Sequence, residues 1–175
     1  IKPIKMKMKK VLFLFAFALF AIGLNAQSNV IKANPIGLAF GNFNATYEKV
    51  LNDASSVLVK GSYRYSLFGI DVSTFGIGAG YRFYITNKNK PAPGGFYVQP
   101  QASFSGGSVG DSGASYTSFG VGAELGYQWV WDSGFVLDLG LGPNYTVLSG
   151  EVDDFGRDSA GGILPSATLA IGYAF

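Results

Sequence analysis

Six charged residues stand at alternate positions of otherwise apolar or small-residue segments, and they are the side chains best placed to do chemistry. Three are acidic and three are basic, and they are Glu48, Lys60, Arg64, Arg82, Glu124 and Asp138. Because an isolated buried charge is very costly, such residues inside a narrow interior are expected to pair with one another. We therefore predict an ion-pair network that closes this interior. A gated pathway through rearranging pairs, or a polar binding site, is the alternative.

The composition argues against the familiar catalytic mechanisms. The sequence contains no His and no Cys, so it can form neither a Ser-His-Asp triad nor an imidazole metal site, and it has no thiolate and no disulfide. A carboxylate pair such as Glu48 with Glu124 would lack a base to activate a nucleophile. We therefore expect no enzyme activity, no cofactor and no resident metal.

The segments that carry the charges alternate with a period of two, which is the period of a β-strand. Between residues 118 and 129 every odd position is apolar, and every even position is Ser, Gly, Glu or Gln. Counting such segments between turn signals predicts eight strands, at 30–40, 43–51, 55–68, 71–85, 94–109, 114–131, 134–152 and 162–175. Several exceed the usual length in soluble proteins and reach the nine to eleven residues that cross a bilayer at a tilt.

These observations predict an all-β fold, an eight-stranded antiparallel up-and-down transmembrane barrel with apolar columns facing lipid and polar columns facing the lumen. Replacing Leu139 on the apolar column by Arg is then expected to cost about 2–4 kcal/mol, and replacing Gln128 on the polar column much less.

Two features of the sequence fit a barrel of eight regular strands less well. The first strand keeps no clean phase, because Lys32 shares a column with apolar residues. Four prolines fall within strand-like runs, where they are expected at bulges or strand ends, namely Pro35, Pro100, Pro143 and Pro165.

The N-terminus has the layout of a secretory signal peptide: a lysine-rich start, an apolar stretch from Val11 to Leu24 and a small residue at Ala26. We expect residues 1–26 to be this signal, with residues 1–5 an over-extended start, and residues 27–175 to be the barrel domain. The signal holds five of the thirteen basic residues and none of the eleven acidic ones, which leaves eight basic and eleven acidic residues and a net charge of −3. The basic pI of about 8.7 therefore gives no indication of nucleic-acid binding.

Aromatic residues cluster at the strand ends that we assign to the periplasm, as in the girdles that mark bilayer interfaces. The predicted girdle consists of Tyr81, Phe83, Tyr127, Trp129, Trp131 and Tyr173. A second group, which includes Tyr63 and Tyr116, lies toward the opposite ends.

Three short motifs resemble those of small OmpA/OmpX-type outer-membrane barrels and, more narrowly, an uncharacterised family of exported Gram-negative barrels with a domain of unknown function. They are Asn34-Pro35-Ile36-Gly37, the segment Phe43 to Lys49 with its Tyr47-Glu48-Lys49, and Gly95-Phe96-Tyr97-Val98. The resemblance implies an eight-stranded barrel and no established activity. The chain's last alternating residues also look like the C-terminal signal that the barrel assembly machinery reads, carried here by Leu169, Ile171, Tyr173 and Phe175.

We therefore expect a monomer in the Gram-negative outer membrane, with lipid, lipopolysaccharide and the assembly machinery as partners and a structural or envelope-interaction role. One alternative is a narrow channel or a barrel that binds or transports a small solute. Another is a soluble periplasmic lipocalin-like protein with its apolar columns inside. The acidic run from Glu151 to Asp158 is expected to be a solvated surface, with weak binding of calcium or of divalent-bound lipopolysaccharide as the alternative.

Overall fold

The computed structural model describes residues 28–67, 70–109, 114–150 and 159–175, which form one closed antiparallel barrel. Each strand pairs with the next in chain order, and the last returns to the first. The elements are β1 (Asn29–Ala33), α1 (Pro35–Ala39), β2 (Asn42–Asn52), β3 (Ser55–Leu67), β4 (Ile70–Tyr84), β5 (Gly95–Val109), β6 (Ala114–Val130), β7 (Phe135–Gly150) and β8 (Ser159–Ala174). The predicted all-β, eight-stranded up-and-down barrel is confirmed. The expected signal peptide precedes the described residues.

Alternation along the strands separates two surfaces of opposite character. Outward-facing Phe75 and Ile77 on β4 are 67% and 69% exposed, whereas inward-facing Arg82 on the same strand is 1% exposed. Large apolar side chains are likewise exposed on the other long strands, and charged side chains are buried inside. No helix in the described part of the chain is long and apolar enough to cross a membrane.

The prediction of a first strand over residues 30–40 is wrong beyond Ala33. Asn34 caps a short helix, α1, because its side chain accepts a hydrogen bond from the Gly37 amide at 2.8 Å, and Pro35 occupies the first turn, where its missing N–H costs nothing. The chain then enters β2 through Gly41, whose φ of +80° favours glycine. The irregular alternation of apolar and polar residues in this segment therefore reflects the change from strand β1 to helix α1.

Because β1 is short, it pairs with β8 only from Val30↔Ala174 to Ala33↔Ile171. Above this seam, β8 has no strand partner on its β1 side, although β7 continues to pair with it on the other side up to Ser149↔Ser159. We call residues 161–170 on the unpaired side the open edge of β8.

The three prolines within strands lie inside the strands and not at the expected bulges or strand ends, each at a position where pairing is missing on one side. Pro100 pairs with Ala123 on β6 but has no registered partner on β4. Pro143 pairs with Pro165 on β8 and has no registered partner on β6. Pro165 in turn lies on the open edge. Each proline therefore has one side on which no ladder hydrogen bond requires an N–H donor.

Candidate functional site

Four charged side chains form a closed ring inside one half of the barrel. This is the half in which β1 begins and β8 ends, and we call it the terminal half. Lys32 Nζ lies 2.6 Å from Glu48 Oε2 and 2.7 Å from Asp138 Oδ2. Arg82 lies 3.4 Å from Glu48 and 3.0 Å from the same Asp138 oxygen. Each cation thus contacts both carboxylates. The ring joins β1, β2, β4 and β7, and it contains two positive and two negative charges.

Two glutamines complete the hydrogen bonding of this ring. Gln128 Oε1 accepts from Lys32 Nζ at 2.6 Å and from Arg82 Nη1 at 2.8 Å, while its Nε2 donates to Glu48 Oε2 at 3.2 Å. Gln99 Oε1 accepts from Arg82 Nε at 2.9 Å and from Nη2 at 2.6 Å. Both glutamines are fully buried. Since Gln128 makes this many buried contacts, we no longer expect its substitution to cost little.

Hydroxyl groups fill the remaining positions on the two carboxylates. Glu48 Oε1 accepts from Ser56 Oγ at 2.6 Å and from the Tyr84 hydroxyl, and Asp138 Oδ1 accepts from Tyr97 Oη at 2.7 Å. The Tyr97 ring also stacks under Arg82, with Cζ of the guanidinium 3.6 Å from the ring centroid. The free-energy cost of burying these charges without such partners would be prohibitive. The ring can therefore be buried only when all of its partners are present.

Below the ring, the terminal end of the barrel is sealed by apolar side chains and by a loop. Val30, Val136 and Ala174 form a fully buried apolar cluster there. The long β4–β5 connection folds across this end, where the Ala92 amide donates to the Asp53 carbonyl at 2.9 Å and the Pro93 carbonyl accepts from Gln128 Nε2 at 2.7 Å. We call the charge ring, with its two glutamines and this seal, the plug.

A second polar cluster lies above the plug, toward the opposite end. Lys60 Nζ donates to Gln101 Oε1 at 2.6 Å, and Gln101 Nε2 donates to Glu124 Oε1 at 3.0 Å. Glu124 also accepts from Ser166 Oγ and, at 2.8 Å, from Thr168 Oγ1. Gln101 further accepts from Gln99 Nε2 at 2.9 Å, which connects this cluster to the plug.

The structure divides the six charged residues predicted from the sequence into three groups. Glu48, Arg82 and Asp138 lie together in the plug, and Lys60 and Glu124 lie in the upper cluster, without an ion pair between them. Arg64 stands apart, since within the described ranges it forms no ion pair and no side-chain hydrogen bond. The prediction of a single network of six is therefore corrected to two clusters with Arg64 outside both.

The sequence reasoning missed Lys32, which contacts both acids of the ring. In a strand over residues 30–40, Lys32 shares a column with Ile36 and Leu38, and the alternation assigns no clear face to it; these two residues belong to α1 and not to β1. The Asn34-Pro35 pair, which is a typical helix start, was the signal that could have ended the strand early enough to place Lys32 inside.

The six girdle residues lie at the terminal end, where several of their rings pack in pairs. The ring centroids are 4.6 Å apart for Tyr81 and Phe83, and 4.4 Å apart for Tyr127 and Trp129. Trp131 packs on Phe135 at 5.3 Å, and Tyr173 is the registered partner of Phe135 on β8. At the other end Tyr116 turns inward and bonds to Thr74, so its placement among the aromatics of an outer belt was wrong.

The residues of the expected C-terminal assembly signal occupy the outward column at the end of β8 and the position after it. Ile171 and Tyr173 pair with β7 and with β1, and the Phe175 amide donates to the Asn29 carbonyl at 2.8 Å. Leu169 pairs with Leu139 on β7 only. The segment that would carry the signal thus also closes the barrel.

One protein family matches residues 11–161, and its description is "Protein of unknown function (DUF3575)". The chain belongs to this family. No curated protein and no solved structure matches the chain. The matched range includes all four residues of the charge ring, together with Lys60 and Glu124 of the upper cluster.

The family description names no activity, so any chemistry must be argued from the site itself. Within the described residues no group of three or more acidic side chains lies close enough to hold a metal ion. The acidic run from Glu151 to Asp158 lies outside the described residues. The plug carboxylates are saturated by cations and hydroxyls, an arrangement suited to holding strands together.

Proposed function

We propose that this member of the DUF3575 family is an outer-membrane β-barrel of the OmpA/OmpX type, with a structural or envelope-interaction role and a lumen closed by the plug. One observation carries the proposal: the distribution of apolar and charged side chains is the reverse of that in a water-soluble barrel. Exposed large apolar residues occur around the outer wall, and five charged residues, the four of the ring and Glu124, are buried within. Lipid would be a favourable surrounding for such a wall.

The same distribution argues against the soluble lipocalin-like alternative. That alternative places the apolar columns inside and Arg82 and Glu124 outside, whereas both are 1% exposed and face the lumen. In water, an outer wall this rich in exposed apolar residues would be prone to aggregate.

The proposal includes export and assembly. The N-terminal segment with signal-peptide layout supports passage to the periplasm. The aromatic girdle at the terminal end supports an interface with lipid headgroups there, and the alternating residues up to Phe175 support recognition by the barrel assembly machinery. In this proposal the protein is a monomer in contact with outer-membrane lipid and lipopolysaccharide, and it catalyses no reaction.

The plug favours a closed barrel over the channel alternative. Glu48, Gln99, Gln128 and Asp138 are all 0% exposed, and an eight-stranded barrel is only just wide enough for side chains to fill it. A transport or binding role would have to use the other half of the lumen, where residues of the upper cluster line a cavity above the plug.

Heat-modifiability of the outer-membrane fraction tests the proposed location and fold. Cells expressing the full chain are fractionated, and the protein is run in detergent gels unboiled and boiled. We expect it in the outer-membrane fraction, with a mobility shift on boiling. A protein found in the soluble periplasm that runs identically in both lanes would contradict the proposal.

Conductance in planar bilayers separates the closed barrel from the channel. We expect no sustained open state for the wild-type protein. A stable open state that is abolished by Arg82→Gln would favour the channel instead, because ions would then pass through rearrangements of the charge ring.

A further inference from the structure

The lumen above the plug contains a cavity of about 280 Å³. This volume lies just below the range of about 300–1,000 Å³ that is typical of ligand pockets and is sufficient for a small solute. Its wall combines apolar residues, such as Ile77, Phe104 and Leu169, with polar ones, and apart from Lys60 and Glu124 the polar side chains are neutral Ser, Thr and Asn groups.

Lys60 is the cation in this wall, and its charge is not neutralised by a direct ion pair. Its Nζ donates to Gln101 Oε1 at 2.6 Å, and no carboxylate of the described residues lies within 4 Å of it. An ammonium group has three donors, so two remain for the cavity. Arg64 lies two inward positions further along β3 and also has no ion pair among the described residues.

Glu124 shares the wall, and three hydrogen bonds occupy most of the acceptor capacity of its two oxygens. They accept from Gln101 Nε2, Ser166 Oγ and Thr168 Oγ1. The Ser, Thr and Asn side chains of the wall can each donate or accept, so the charged group that keeps unused donors toward the cavity is the Lys60 ammonium. An anion satisfies such donors, and charge-assisted hydrogen bonds to it are stronger than neutral ones.

We propose that the upper lumen is a binding site for a small oxyanion, a phosphate group carried on a polar body, with Lys60 as its charge partner and the Ser, Thr and Asn side chains of the wall as its neutral donors. This inference adds a ligand to the barrel proposed above and rests on the protein adopting that fold. Binding leaves the plug intact, since the ligand sits above the charge ring.

The phosphate group of the proposed ligand has two possible sources. One is a soluble solute. The other is a phosphorylated lipid headgroup: Ser166 and Thr168 of the open edge and Asn44 of β2 line the cavity above the seam, where the short α1, and no strand of the described residues, lies against both β2 and β8.

The soluble source is tested by calorimetry on protein produced from the full chain and purified in zwitterionic detergent. The probes are glucose 6-phosphate and inorganic phosphate, with glucose as the neutral comparison. We expect the phosphorylated probes to bind and Lys60→Gln to weaken them at least tenfold. Lys49→Gln is the matched control, because Lys49 lies on the neighbouring strand but faces outward and is exposed; it should leave the affinity unchanged.

The lipid source is tested in mixed micelles with lipid A and with dephosphorylated lipid A. We expect the purified protein to retain lipid A. If Lys60→Gln loses this retention and Lys49→Gln keeps it, the headgroup is identified as the ligand. A second variant, Ser103→Phe, fills the cavity without changing charge and should abolish binding from either source.

The proposal is overturned if neither phosphate source binds, if glucose binds as tightly as glucose 6-phosphate, or if both lysine variants have the same effect. The heat-dependent gel shift is recorded for every variant in the same samples. A variant that keeps the shift is folded, so its loss of binding concerns the cavity. A wild-type protein without the shift would instead contradict the proposed barrel itself.

Discussion

Arg82 shows most clearly how single side chains hold this barrel closed. Its guanidinium contacts Glu48, Asp138, Gln99 and Gln128, and its face stacks on Tyr97. A guanidinium presents five donors in a fixed plane, which suits a residue that must reach several strands at once. The adjacent ammonium of Lys32 balances the second carboxylate.

Removing one charge of the ring should be costly, because it leaves the opposite charges in excess in a buried site. We expect Asp138→Asn to lower the free energy of unfolding by about 3–5 kcal/mol. The measurement is urea unfolding in lipid vesicles. Asp132→Asn is the control, since Asp132 lies exposed in the β6–β7 turn, and it should change stability little.

Neutralising a partner should restore part of this loss. The double variant Lys32→Met with Asp138→Asn leaves one cation and one anion in the plug, so it should be more stable than Asp138→Asn with Lys32 intact. If the two substitutions were simply additive, the ring would not act as a unit and the description of the plug would be wrong.

Small residues opposite Tyr97 create the space that this ring needs. A Cβ at Gly140 would lie 2.6 Å from Tyr97 Oη, and one at Gly126 would overlap the same ring. We expect Gly126→Ala to cost about 1–3 kcal/mol in unfolding experiments, because overpacking displaces the tyrosine that bonds to Asp138. Gly61→Ala meets nothing within 4 Å and should not destabilise; equal losses in both variants would contradict this packing.

The inward position of most charged residues could be predicted from the sequence, but their grouping could not. Period-two alternation places Glu48, Arg82 and Asp138 on inward columns. Which of them meet depends on the stagger between strands, which the sequence pattern does not reveal. For the same reason nothing in the sequence distinguished Lys60, which lies in the upper cluster, from Arg64, which does not.

At the scale of elements, the junction between β1 and β8 is the most informative feature. The barrel closes there over four residue pairs, and α1 replaces the continuation of β1. The Tyr65 hydroxyl donates to the Leu38 carbonyl at 3.0 Å, and α1 packs on β2 and also contacts β8. Above the seam a helix therefore takes the place of a strand partner for β8.

Engineered cysteine pairs can test this arrangement, because the chain has no native Cys. Ala33 and Ile171 are registered partners in the seam, and cysteines there should form a disulfide, since antiparallel partners have suitable Cα separations. The yield is read as the fraction of protein that binds a thiol reagent only after reduction.

The control pair is Leu38 with Ser166. If β1 continued in register beyond Ala33, these two residues would face each other and their cysteines would cross-link as well. The helix instead predicts no cross-link. Efficient cross-linking of this control pair would show that the strand extends as the sequence alternation alone suggests.

The long strands were predictable because alternation and turn residues agree along most of the chain. The Asp132-Ser133-Gly134 turn is an example: Gly134 has φ of +83°, and Trp131 and Phe135 pair across it, as three-residue hairpin loops favour. The predicted extent of the first strand was wrong because a local helix cap at Asn34 outweighed a weak alternating pattern. Local side-chain bonding of this kind competes with the sheet ladder.

In its described residues, the whole molecule is a barrel whose two halves are filled differently. The terminal half is filled by the plug and covered by the β4–β5 loop, whereas the other half holds the polar cavity. This division is what the two proposals above require: the charge ring closes the lumen, and the ligand that we propose lies above it.

The central claim is that the apolar columns face lipid and the charged columns face a closed interior. The most direct test compares the free energies of unfolding of two variants that each place an arginine on β7, one on the outer face and one on the inner face. Leu139 lies on the outer wall, and Thr146, on the same strand, faces the lumen in the half of the barrel opposite the plug. In lipid vesicles we expect Leu139→Arg to lose about 2–4 kcal/mol and Thr146→Arg to lose much less. Equal losses, or stable folding of both variants in water without lipid, would contradict the account.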